Sequence, residues 1–141
     1  MKKSYTLIIL LFLVFTACKK DQASTSTDLK TQMTGRWNYV SLVGNNYDTN
    51  GKLLGQQSSY TGVSGDYIQF NGDGTYVENL VPGTHLTGTY TINSTTRFTL
   101  SPGVDNPCRV VNIDNGTFTF IVEGPKYSGY GYIEYTHSLK K

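Results

Sequence analysis

The chain has 141 residues, with 12 Lys and Arg against 10 Asp and Glu. Two of those cations, Lys2 and Lys3, sit in the N-terminal segment, so the remainder is electrically neutral and lacks the basic surplus that displaces counterions from nucleic-acid phosphates. Fifteen Gly and eleven Tyr beside a single Trp describe one turn-rich β domain and exclude a helical bundle or a coiled coil.

The N-terminus reads as an export signal over residues 1–17. Lys2 and Lys3 supply the positive start, and Leu7 to Phe15 is an unbroken apolar run too short to cross a bilayer. Small residues then precede a cysteine in Phe15-Thr16-Ala17-Cys18. This resembles the lipobox of bacterial lipoproteins, with Phe15 where Leu is more usual. The resemblance implies acylation of Cys18, palmitate included, and anchorage in the bacterial cell envelope, with the outer membrane the expected site. At about 0.8 kcal/mol per buried CH₂, two or three acyl chains hold a protein at a membrane essentially permanently. With Cys18 consumed in a thioether, Cys108 is the remaining thiol, no internal disulfide is available, and Cys108 reads as a small buried hydrophobe.

Residues 18–34 form the lipidated Cys and a polar, aperiodic tether. Within it, Asp28 is placed to cap one helical turn with Leu29 and Met33 on a shared face. From residue 35 to 141 the signal is strand after strand. In Leu86, Gly88, Tyr90, Ile92 against Thr87, Thr89, Thr91, Asn93 the period is two, with Thr outside. Eight segments follow, at 35–43, 66–71, 74–81, 85–93, 96–101, 108–114, 116–123 and 129–138, with the spacing of a sandwich or barrel.

The connections are unequal. Asn71-Gly72-Asp73-Gly74, Asn93-Ser94-Thr95 and Asp114-Asn115-Gly116 are tight turns, whereas residues 44–65, 82–84, 102–107 and 124–128 are long or stiff and hold all four prolines. Connections alternate between the two ends of a meander. One end is therefore expected to be sealed and the other to carry the long loops, giving a cup with a mouth, over which residues 44–65 fit a mobile lid.

Eight up-and-down strands opening with Gly35-Arg36-Trp37 look like a lipocalin, whose first strand carries Gly-x-Trp at the closed end. Phe70-Asn71-Gly72-Asp73-Gly74-Thr75-Tyr76 and Gly88-Thr89-Tyr90 resemble more closely the lipocalin-like domain of small Bacteroidetes-type envelope lipoproteins. The likeness covers residues 35–138. It implies an all-β, eight-stranded antiparallel barrel with Gly35 and Trp37 as structural motif residues. The chain departs from lipocalins in lacking Thr-Asp-Tyr at the sixth turn, a helix after the last strand, and the arginine over the Trp; Lys140 or Lys141 is the available cation for Trp37.

No metal site is expected: the residue 71–74 loop lacks the twelve-residue calcium series, and His85 at the mouth lies about 20 Å or more from His137 near the closed end. Gly-x-Ser-x-Gly is absent, so the reading is non-enzymatic and without cofactor. An enzyme in the cup would need an internal charge, and only Glu78 and Glu134 occupy suitable strand positions, each facing inward if Tyr76 or Tyr132 does. Tyr47, Tyr60, Tyr127 and Tyr130, with His85, ring the expected mouth as candidate ligand-binding residues. Inside, Trp37, Tyr39, Ile68, Phe70, Tyr76, Tyr90, Phe98, Phe118, Phe120 and Tyr135 are bulky enough to fill the barrel. Two functions follow. One is a membrane-anchored monomer that binds a small apolar or amphiphilic ligand at the mouth; the other is a filled barrel serving as a protein- or glycan-interaction module.

Overall fold

The computed structural model describes residues 28–81, 83–126 and 131–141. The expected signal, Cys18, the tether up to residue 27, Pro82, Tyr127 and Tyr130 lie outside the described residues.

The first element is the short helix α1 (Leu29–Met33), where the Asp28 side chain accepts from the Lys30 amide at 3.4 Å. Leu29 and Met33 are both buried, as their shared face requires. Nine strands follow: β1 (Gly35–Tyr47), β2 (Leu53–Thr61), β3 (Tyr67–Phe70), β4 (Thr75–Leu80), β5 (Thr84–Ser94), β6 (Arg97–Ser101), β7 (Asn106–Ile113), β8 (Thr117–Glu123) and β9 (Tyr132–Lys140). Each of β3 to β9 pairs antiparallel with the next, and β1 joins β9 to β3, closing eight strands into a barrel with β2 as an additional strand.

β1 explains the extra strand. Its first residues, Gly35 to Asn38, face Phe70 to Tyr67 of β3, while Ser41 to Tyr47 face β2. β2 and β3 therefore run in line along one neighbour, interrupted at residues 62–66. At that interruption the chain crosses close to β1: a Cβ on Gly62 would stand 2.2 Å from the Tyr39 carbonyl oxygen, so only glycine fits. Residues 44–65, expected as a loop and mobile lid, are instead the upper part of β1, a turn at 48–52 built on the Asp48 carboxylate, and β2. Periodicity misses β2 because it is solvated on both sides, with Leu53 and Leu54 exposed.

Turns at 71–74, 95–96 and 114–116 lie beside the first residues of β1 and the last of β9, while β4 and β5, β6 and β7, and β8 and β9 are joined at the other end, though residues 102–105 are no longer than the turn at 71–74; the 62–66 segment crosses β1 midway, at Tyr39 and Val40.

The closed half is solid aromatic packing. Phe118 stands 5.4 Å from Trp37 and 5.0 Å from Phe120, and Phe98 lies 5.2 Å from Phe120. α1 plugs the bottom: the Trp37 indole N–H donates to the Met33 carbonyl at 2.7 Å, and Lys141 Nζ sits 4.7 Å over the Trp37 ring. Tyr135, expected inside with these rings, is 36% exposed, paired with Gly44 of β1 and Val122 of β8 beyond the aromatic packing.

Candidate functional site

Three side chains from three strands meet above the aromatic floor. Tyr39 comes from β1, Glu78 from β4 and His137 from β9. Glu78 shares the inward face of β4 with buried Tyr76, because alternate residues point the same way. Tyr39 reaches His137 because the β1 and β9 register slips between Tyr39 and Ser41, bringing the inner face of one strand diagonally onto that of the other.

The Tyr39 hydroxyl is hydrogen-bonded to Glu78 Oε1 and lies 2.8 Å from His137 Nδ1. Burial pushes the His137 imidazole down to about 3, so the ring is neutral at pH 7. It stacks on Phe120 with ring centres 4.5 Å apart. With Nδ1 protonated, His137 donates to the Tyr39 oxygen and the phenol donates to the carboxylate. Burial and then the Glu78 charge hold the Tyr39 phenol well above its ordinary range, so it stays protonated. Burial also raises the Glu78 carboxyl, and the Tyr39 hydrogen bond acts against that rise. The ion pairs among the described residues, Arg97 with Glu123, Arg109 with Glu123 and Arg109 with Glu134, leave Glu78 out. Glu134 thus lies on the outer face, and Glu78 is the internal carboxylate. Such a chain fixes a carboxylate in one orientation.

Above it the wall is apolar. Leu42, Leu80 and Val122 are half-buried, and at the rim Leu86 and Tyr135 are 39% and 36% exposed. Tyr135 faces Val122 across the β8–β9 pair and Gly44 across β1, where a Cβ would come within 3.0 Å of its ring. The inner surface is therefore a bowl with a carboxylate in its floor. Beside the open end, the β6–β7 and β8–β9 connections enclose a groove of about 600 Å³ between Val104 to Pro107 and Glu123 to Lys126.

A second polar knot fixes the rim. Burial would raise the Asp66 carboxyl, but it accepts from the Val63 and Val81 amides and the Tyr60 hydroxyl, each at 2.7 Å, and these hold it below its ordinary value. It ties the 62–66 segment to the end of β4.

Of the expected mouth residues, Tyr47, Tyr60 and His85 are among those described. Tyr47 stacks on Tyr132 at 5.1 Å, Tyr60 is engaged by Asp66, and His85 is exposed on the outward face of β5, opposite in direction to Leu86 and Tyr90. Tyr127 and Tyr130 lie outside the described residues. Gly35 and Trp37 occupy the closed end, Gly35 with φ +119°. Cys108 is buried, its thiol pushed up to about 12 mainly by burial. Among the described residues no group of three His, Cys, Asp or Glu side chains is placed to hold a metal ion. Alternation assigns Tyr39 to the core, which is correct for its ring, but says nothing of its hydroxyl. The legible signal was conditional: Glu78 turns inward with Tyr76.

No protein-family model matches the chain, and no curated protein matches it. Among solved structures it is similar to the bovine lipocalin allergen Bos d 2, at 19% identity and a TM-score of 0.47, over 79% of this chain and 74% of that one.

Proposed function

We propose that this protein is a membrane-anchored envelope lipoprotein whose barrel binds a small apolar or amphiphilic ligand at its loop-rich end. The observation that carries the binding half of this reading is the bowl itself: Leu86 and Tyr135 leave apolar surface exposed on the inner face above a buried polar chain. Apolar walls around a few placed polar groups are the usual construction of small-molecule sites. The aromatic floor limits the ligand to the upper half of the barrel. Anchoring rests on the residue pattern around Cys18, and the location proposed from it is the outer membrane.

Mass spectrometry of natively purified protein, with thermal-shift titration across lipids, haem and sugars, tests binding; no co-purified molecule and no shift would remove it. Labelled palmitate tests the anchor and is expected on the parent chain but not on Cys18→Ser. A second reading is a non-catalytic protein- or glycan-interaction module. The exposed Leu53 and Leu54 of β2 favour it, and crosslinking pull-down from envelopes discriminates the two.

A further inference from the structure

The bowl contains one feature that an apolar ligand alone does not use. Tyr39 engages Oε1 of Glu78, while Oε2 has no hydrogen-bond partner among the described residues. No buried side-chain oxygen there is unsatisfied, so Oε2 keeps some exposed surface, and Glu78 stands on the inward face of β4 with Tyr76. Among the described residues no Lys or Arg forms an ion pair with this carboxylate: the cations placed against acidic groups, Arg97 and Arg109, are taken by Glu123 and Glu134 on the outer face. A carboxylate withdrawn from water and held in one orientation by a phenol is an acceptor for a cationic hydrogen-bond donor, and charge-assisted bonds of this type are roughly twice as strong as neutral ones.

We propose that the ligand carries a protonated amine on an apolar body, and that Glu78, oriented by Tyr39 and through it by His137, receives the ammonium group in the floor of the bowl. This rests on the binding reading above and names the ligand class for it. Leu80, Leu86, Val122 and Tyr135 take the apolar body. An anionic head group meets Glu78 as a like charge in a poorly solvated place, which selects against carboxylates of the same length. A hydroxyl head donates one neutral hydrogen bond and falls between the two.

Three probes with the same hydrocarbon chain, octylamine, 1-octanol and octanoate, titrated into the purified full chain by calorimetry at pH 7.5, separate the head group from the body. Octylamine is expected to bind about tenfold or more tightly than octanoate, with 1-octanol between them. Glu78→Gln keeps size and shape; it is expected to weaken octylamine about tenfold and to leave 1-octanol within about twofold. Octanoate binding as tightly as octylamine, or an octylamine affinity unchanged in Glu78→Gln, overturns the amine assignment while the binding reading stands. Binding of none of the three overturns both. Should the variant fail to fold, the ranking of the three probes on the parent protein decides alone.

Discussion

Tyr39 and His137 stand 2.8 Å apart through hydroxyl and Nδ1, although 98 positions separate them in the chain. The contact exists because β1 and β9 close the barrel. It places a neutral imidazole where water cannot easily solvate its charged form.

That imidazole has a pH signature. An ordinary His titrates near 6.5 and this one near 3, so as pH falls between those values the unfolded chain takes up a proton that the folded chain refuses, and stability declines. At pH 5 the loss from His137 alone is about 2 kcal/mol. The Glu78 carboxyl works in the opposite sense: raised in the folded state, it costs stability once pH rises through its folded value. Urea unfolding at pH 7.5 and pH 5 is expected to show a larger fall in the parent than in His137→Asn, and Glu78→Gln is expected to gain relative stability at the higher pH. Parallel profiles for parent and His137→Asn would contradict this.

The Asp66 knot predicts the reverse dependence. Its carboxyl is depressed by two amides and the Tyr60 hydroxyl, so its contribution is present above the ordinary carboxylate value and is lost as pH falls through the folded one. Asp66→Asn is expected to melt below the parent at pH 7, with the gap narrowing below about pH 3.8, the unperturbed Asp value. Hydrogen exchange at Val63 and Val81 is expected to quicken in the variant, since both amides lose their acceptor.

At the closed end, Met33 is fully buried and its carbonyl receives the Trp37 indole N–H. Met33→Ala removes the side chain that plugs the barrel and is expected to cost about 2–5 kcal/mol in urea unfolding. Ligand affinity at the opposite end is expected to change little in the protein that remains folded.

Cys108 is buried between β6 and β8, its thiol raised to about 12 by burial, with Sγ 3.3 Å from the Asn106 carbonyl. Thiolate is the reactive form. Iodoacetamide at pH 8 is therefore expected to leave Cys108 unmodified in native protein and to label it in urea, as read by peptide mass mapping.

Much of the architecture was legible in the chain because period-two alternation and turn chemistry are local. Thr87, Thr89 and Thr91 outside, with Tyr90 inside, fix the face of β5 without any knowledge of its neighbours. The same holds for the helical turn before Gly35, where Asp28, Leu29 and Met33 carry cap and apolar face. β2 was not legible, because a strand wet on both faces has no apolar period and is created by the backbone of β1 alongside it. Nor did alternation reveal the joining of Tyr39, Glu78 and His137, although it marked the condition under which Glu78 would point inward.

By itself, then, the sequence determined which face of most strands turns inward and that the turns at 71–74, 93–95 and 114–116 are tight, since each of these follows from side-chain chemistry within a few residues. The tertiary structure decided how far up the barrel the aromatic packing reaches and that Glu78 ends in the floor of the bowl with no ion pair among the described residues. Those outcomes depend on barrel closure and on the register slip between β1 and β9, where interstrand hydrogen bonds bring distant segments together and no local pattern records the partner.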